Sequence, residues 1–300
     1  MRNKKQRESL NHKRIITLNL APRTGPIKVD AAEITVQPSF TAPVRIITAG
    51  NSVIGTRDYQ QDALYVSDSV NAQLGEEIKA YGILCDGMGG MQSGEETSNL
   101  VVTEMRNELE ALKSDRNIAE FMNEMMFKLD AMVVKAYGAG VAGTTVVTAV
   151  IFGNKLYWGA VGDSRIYLIR RSEIEQVTRD HNYYLYLKED VEKRKITQQE
   201  ADTHPMREAL VSFVGSGNIE LIDANAKPFE LLDGDIVLLC SDGLTKSLTN
   251  DEIRRLVSTH KENLTMAAGS LTERAINIDM GPKDNTSVIL IQYLEDKRRD

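Results

Sequence analysis

Aspartates recur in this chain where an apolar run enters a tight turn: Asp86 in Cys85-Asp86-Gly87, Asp163 in Gly162-Asp163-Ser164 and Asp242 in Ser241-Asp242-Gly243, with Asp284 just before the last apolar run. Each one alone suits a turn, because a short carboxylate hydrogen-bonds neighbouring backbone there. Together they say more. If the strands they follow end at one edge of a layered sheet, the carboxylates converge, and converging anions repel unless they are protonated or share a cation. Donor sets made only of oxygen suit the hard ions magnesium and manganese. Zinc suits this chain poorly, since neither Cys85 and Cys240 nor His12, His181, His204 and His260 show ligand spacing. Gly87-Met88-Gly89-Gly90 follows its strand without a lysine, so it does not read as a nucleotide-phosphate loop.

The elements that would position these residues are legible in part. Strand runs are expected over Val44 to Ala49, Ala63 to Val66 and Ala80 to Cys85. A helix opening after Gly94 carries Val101, Met105, Leu109 and Leu112 on one stripe, and a second carries Met122, Met125, Leu129, Met132 and Ala136. The methionines read as core filling. Strands follow over Thr144 to Phe152, Lys155 to Gly162 and Arg165 to Arg170, the first pair joined by a Gly153-Asn154 turn. Tyr183 to Arg207 is polar and reads as irregular. Asp235 to Cys240 is expected as a buried strand, Asp251 to Thr259 as a helix capped by Asn250, Met266 to Ile276 as a further helix and Thr286 to Tyr293 as the last strand. Helices arrive in pairs and strands in runs, which predicts an α+β fold of two stacked, mainly antiparallel sheets flanked by helices, a four-layer αββα sandwich.

Composition bounds what such a site serves. The chain has 300 residues, 42% hydrophobic and 26% charged, the profile of a soluble globular protein. Its net charge of -7 argues against a nucleic-acid binder, which needs clustered basic residues. No window has the roughly 18 apolar residues of a membrane span, and the basic, polar start is not followed by a secretory apolar stretch. A cytoplasmic monomer without nucleic-acid or membrane partners is expected. Residues 1–42 mix basic residues with Pro22, Pro26 and Pro38, with Pro43 just beyond, and read as a tail or linker; within it, Ile15 to Leu20 could add an edge strand to the domain over 43–300. Two cysteines make no disulfide framework.

Six stretches, in order, resemble the metal-dependent protein phosphatase 2C family in its bacterial form: Arg57-Asp58-Tyr59-Gln60-Gln61-Asp62-Ala63, Cys85 to Gly90 with Gly94-Glu95-Glu96, Gly143-Thr144-Thr145, Val161-Gly162-Asp163-Ser164-Arg165, Ser241-Asp242-Gly243-Leu244 and Lys283-Asp284-Asn285-Thr286-Ser287. The resemblance spans about residues 45 to 294. It implies a serine/threonine phosphatase acting on phosphorylated proteins, the substrates of a serine/threonine kinase. It also implies that Asp62, Asp86, Asp242 and Asp284, with the Gly87 carbonyl, hold two manganese or magnesium ions. A water between two such ions loses a proton near neutral pH and attacks phosphorus in line, with no covalent intermediate. Asp163 matches the position that contributes to a third, weaker metal, although it could instead only shape its turn. Arg57, which by itself would read as a surface arginine, matches the residue that grips the substrate phosphate with two parallel donors.

Some positions depart from the family pattern. Met88 stands where some members carry a histidine proton donor, so a water would have to supply that proton. Gln60 replaces the commoner asparagine and Met91 the frequent histidine, neither of them a ligand position. His181 matches a recurrent bacterial stretch and reads as structural. Residues 183–207 resemble the flap beside the active site, with Tyr183, Tyr184 and Tyr186 packing its base. Cys85 and Cys240 lie close to Asp86 and Asp242 and read as inert buried thiols. A non-catalytic relative would be expected to lose metal aspartates, and all four matched positions are intact. The acidic balance weighs against a nuclease or phosphodiesterase.

Overall fold

Apolar runs broken by turns build two sheets in the computed structural model, which describes residues 43–72, 79–88, 93–113, 116–278 and 281–295. The expected tail over 1–42, with its candidate strand Ile15 to Leu20, lies outside the described residues, as do Gly89, Gly90 and Met91. The strands are β1 (Val44–Val53), β2 (Asp62–Val66), β3 (Val70–Ala72), β4 (Lys79–Met88), β5 (Gly143–Thr144), β6 (Val146–Phe152), β7 (Lys155–Val161), β8 (Arg165–Arg170), β9 (Glu173–Gln176), β10 (Asp223–Ala224), β11 (Phe229–Glu230), β12 (Ile236–Cys240) and β13 (Thr286–Glu295). One sheet of six strands runs β3-β1-β13-β12-β8-β9. The other, of seven, runs β10-β7-β6-β4-β2, with β11 on β7 and β5 on β4. The registered pairs in both sheets are antiparallel.

The helices are α1 (Ser93–Ala111), α2 (Ile118–Tyr137), α3 (Tyr184–Glu192), α4 (Gln198–Asp202), α5 (Asp242–Ser247), α6 (Asn250–Thr259) and α7 (Leu264–Asn277). Three apolar layers make the expected four-layer sandwich. Met105, Leu109, Phe121, Met122 and Leu129 of α1 and α2 pack on the seven-stranded sheet. Leu84, Ile151, Trp158, Leu239 and Ile291 fill the space between the sheets. Leu244, Ile253, Val257, Leu264 and Leu271 cover the outer face of the six-stranded sheet. Strands at the centre are buried on both faces, so β12 is an unbroken apolar run and β6 is apolar but for Thr148, with every residue of both buried.

Several local expectations change. Residues 183–207 are not irregular: they hold α3 and α4, the latter opened by a capping box in which Thr197 and Glu200 satisfy each other's backbone. The same arrangement puts the cap of α6 on Thr249 with Glu252, not on Asn250. Asn263 caps α7, which starts two residues before Met266. In α2 the buried stripe drifts to Met126 and Val133, leaving Ala136 exposed. Gly159 of β7 makes room there, since a Cβ at this position would lie 2.8 Å from the Met126 methyl. No helix among the described residues is long and apolar enough to cross a membrane.

Candidate active site

The antiparallel pairing of β2 with β4 sets Asp62 directly opposite Asp86, the first residue of one strand against a residue near the end of the other. Asp163 follows β7, Asp242 opens α5 one residue beyond β12, and Asp284 lies two residues before β13. Chain segments up to 222 residues apart thus deliver five aspartates to one edge of the sandwich. Gathered there, they disfavour one another's charge. Asp86 feels Asp62, Asp242, Asp163 and Asp284, after a larger contribution from burial, and its acidity is pushed well below that of an ordinary carboxyl. Burial raises the Asp62 pKa to about 6, with Asp242 and Asp284 pushing the same way against hydrogen bonds from the Ser287 and Ser241 hydroxyls. Asp163 is raised to about 7 by burial and then by Asp242 and Asp180.

Asp242 is raised mainly by burial, opposed by Lys246. Lys246 sits one turn later on α5 and ion-pairs with Asp242, with its Nζ also 3.7 Å from Asp284 Oδ2. Arg57 clasps Asp284 with two donors, Nη2 to Oδ2 at 2.9 Å and Nε to Oδ1 at 2.9 Å, while more than half of its side chain stays exposed. These two cations partly balance the cluster. As they stand, no three His, Cys, Asp or Glu side chains among the described residues are drawn round one point tightly enough to hold a metal ion.

Whether the residues fit a cation is decided by atoms left without partners. Oδ1 of Asp62 and Oδ1 of Asp242 are buried and accept no hydrogen bond. Such orphaned acceptors are rare, because desolvating a carboxylate oxygen without replacing its water is costly. They fit the cation chemistry that the aspartate pattern suggests. Asp62 Oδ2 is already used, accepting from Ser241 Oγ at 2.8 Å.

A polar scaffold absent from the sequence reading holds these acids in place. Ser241 Oγ also accepts from the Ser287 backbone at 3.0 Å, tying β12 to β13 behind Asp62. Buried Asn285 accepts from the Gln61 backbone and donates to the carbonyls of Ile54 and Tyr59, which fixes the loop carrying Arg57. Thr145 Oγ1 accepts from the Asp86 backbone and shares a 2.8 Å hydrogen bond with Ser164. All of these lay inside motifs already singled out. Lys246 did not, and its signal was its position four residues after Asp242, the spacing at which side chains meet on a helix. Gly87 is wedged: a Cβ would lie 2.2 Å from the Gly94 carbonyl oxygen. Its own N–H donates to Gln61 O, locking β4 to the approach to β2.

Residues near the site sort plainly. His181 is buried, with Nδ1 accepting from the Gly162 backbone at 3.2 Å, and burial with the nearby Arg179 lowers its pKa to about 3. It is a neutral support for the turn before Asp163. Burial pushes the Cys240 thiol up to about 12 and Cys85 well above its ordinary value, so neither carries a reactive thiolate. Tyr183 stacks edge-on with Tyr186 and against His204, while Tyr184 hydrogen-bonds Asp202, so these tyrosines hold α3 to α4.

Comparison with known proteins agrees with this arrangement. Residues 48–204 match the family model described as Protein phosphatase 2C. The chain is 29% identical over 238 residues to protein phosphatase PhpP of Streptococcus pneumoniae, covering 76% of this chain and 92% of that protein. It is 30% identical over 224 residues to serine/threonine protein phosphatase PstP of Mycobacterium tuberculosis, covering 71% of this chain and 40% of PstP. Among solved structures, the PstP/Ppp phosphatase of M. tuberculosis superposes with a TM-score of 0.68 at 26% identity, over 84% of this chain and 99% of that one. The S. agalactiae serine/threonine phosphatase gives 0.68 at 25% identity, over 82% and 98%. With the matched model covering more than half of its length, this chain belongs to the protein phosphatase 2C family and is a serine/threonine protein phosphatase.

Proposed function

We propose that residues 43–300 form a metal-dependent hydrolase that releases phosphate from phosphoserine and phosphothreonine in proteins, with Asp62, Asp86, Asp242, Asp284 and the Gly87 carbonyl as the ligands of two manganese or magnesium ions. The observation that carries this reading is the pair of orphaned, buried oxygens on Asp62 and Asp242 within a cluster of mutually repelling acids. Bound there, the ions would neutralise the cluster and make a water nucleophilic at neutral pH.

The chain's own residues would then divide the remaining work. Arg57 stands at the rim, exposed and bidentate on Asp284. Once a cation shares the charge of Asp284, the guanidinium is free to turn its two parallel donors to the substrate phosphate. Asp62 and Asp86, fixed by sheet register and by Ser241, keep the donor oxygens in place without rearrangement. Met88 has no proton to give, so the leaving serine or threonine oxygen takes its proton from water. No side-chain nucleophile is required, and the buried, poorly acidic Cys85 and Cys240 are unsuited to be one. The segment over 183–207, with α3 and α4, would act as the flap that meets the protein substrate. The substrates would be products of serine/threonine kinases in the cytoplasm, met by a monomer.

The test is manganese-dependent release of phosphate from a phosphothreonine peptide. Turnover is expected to vanish in chelator, return with manganese, and fall roughly 100-fold or more in Asp242→Asn. Turnover unaffected by chelator would overturn the reading, and faster cleavage of a bis-ester would point to a phosphodiesterase instead.

A further inference from the structure

One oxygen of the Asp62 carboxylate, Oδ1, is buried without a partner, while the other, Oδ2, is taken. A closed circuit of hydrogen bonds accounts for the difference. Gln60, on the loop that carries Arg57, accepts from the Asp62 backbone with Oε1 at 3.3 Å and donates with Nε2 to Ser52 Oγ at 2.8 Å. Ser52 Oγ lies 2.7 Å from Ser287 Oγ, across the β1 and β13 pairing that sets these two residues opposite one another. The Ser287 backbone donates to Ser241 Oγ at 3.0 Å, and that hydroxyl donates in turn to Asp62 Oδ2 at 2.8 Å. The Ser287 hydroxyl hydrogen-bonds the Asp62 carboxylate as well.

The direction of these bonds matters. The amide nitrogen of Gln60 can only donate, so Ser52 accepts from it and has its own hydroxyl hydrogen left for Ser287, as Ser287 has for Asp62. The circuit therefore ends in donors aimed at one carboxylate. A carboxylate has a broad, roughly two-fold last torsion, so an Asp62 without these donors would present either oxygen. Ser241 and Ser287 are wholly buried, whereas Ser52 is exposed and Gln60 half-buried, so a buried acid is oriented from the rim of the site.

We infer that Gln60 and Ser52 are positioning residues that act through Ser287 and Ser241 to hold Asp62 by Oδ2, keeping Oδ1 free of protein partners and offered to a metal ion. The inference rests on the reading of Asp62 as a metal ligand. Because Gln60 shares its loop with Arg57, a single hydrogen-bonded unit joins the phosphate-gripping segment to the metal centre.

The experiment is calorimetric titration with manganese in the absence of substrate, so that Arg57 takes no part, beside melting in chelator. Gln60→Ala and Ser52→Ala are each expected to weaken manganese binding roughly 10-fold. The double variant should lose about the same and not the product of the two, because both substitutions cut the same chain. Ser52→Thr, which keeps the hydroxyl, should bind as wild type does. Unchanged manganese affinity in either alanine variant, even with a lower melting temperature, would overturn the inference and leave the circuit a purely structural link. Losses that multiply in the double variant would overturn it too. Should Ser52→Ala not fold, Gln60→Ala decides alone. A wild type that binds no manganese would instead overturn the metal-dependent reading itself.

Discussion

Asp62 and Asp163 sit where their ionised forms are disfavoured, with pKa values raised to about 6 and about 7, burial being the first cause of both. In the unfolded chain both would ionise near pH 4. An acid whose pKa is raised by folding keeps its proton in the folded state, so its contribution to stability is present below about pH 4 and is lost as pH rises through 6 and 7. The metal-free protein should therefore melt at lower temperature at pH 7 than its fold alone would give. Asp163→Asn, which removes the charge but not the shape, is expected to raise the melting temperature in chelator at pH 7 by several degrees and to change it little at pH 4. Equal shifts at both pH values, followed by calorimetry, would show that Asp163 ionises freely. Manganese, which needs ionised ligands, should stabilise the wild type more at pH 7 than at pH 5.

At the scale of elements, the start of α5 is the piece that aims the chemistry. It follows β12 after the single residue Ser241, so that Asp242 lies at the sheet edge, and Gly243 allows the helix to press against Asn285. Gly243→Ala should force these two segments apart, lowering manganese affinity by roughly 10-fold or more and turnover with it, as loss of support around a metal site commonly does. Thr249→Ala is the control. It removes the capping box of the neighbouring helix α6, where Thr249 Oγ1 accepts from the Glu252 backbone at 3.3 Å. Denaturant melting should record a loss of about 1 kcal/mol with manganese affinity unchanged. If both substitutions altered metal binding alike, the placement of Asp242 would not depend on the close packing at Gly243.

Across the whole molecule, the two sheets are fastened far along the strands from the acids. Arg170, at the end of β8, clasps Asp235, just before β12, with Nη2 to Oδ2 at 2.6 Å, and Asp235 is almost wholly buried. The same guanidinium donates to the Glu230 carbonyl of β11, which belongs to the other sheet. Asp235 also accepts from the Leu232 backbone at 2.8 Å. Removing one partner of such a pair leaves a largely buried charge uncompensated, so Asp235→Ala should destabilise the fold by about 3–5 kcal/mol. Turnover per folded molecule, measured well below the melting temperature, should be retained, since the carboxylate cluster lies at the opposite strand ends. A selective loss of activity without loss of stability would contradict this division of labour.

Sequence alone was enough for what depends on neighbours along the chain. Apolar runs marked β6, β7, β12 and β13, periodicity marked α1 and α2, and turn-entering aspartates marked Asp86, Asp163 and Asp242 as a set. The ordered motifs were specific enough in the sequence to suggest the family. Short polar helices such as α3 and α4 stayed hidden because they lack an apolar stripe, although Thr197 with Glu200 carried a capping signal. What only the tertiary structure decided is which groups face one another. Asp62 opposite Asp86 is a matter of strand register, Ser241 on Asp62 spans 179 residues and Asn285 on Gln61 spans 224. The orphaned oxygens of Asp62 and Asp242 exist only after burial has removed their water. Lys246 carried no motif, and became part of the cluster because α5 turns it back onto Asp242 at the point where Asp163 and Asp284 arrive from other strands. Side-chain chemistry is local to a residue, but the charge it meets is set by packing between segments that the chain keeps far apart.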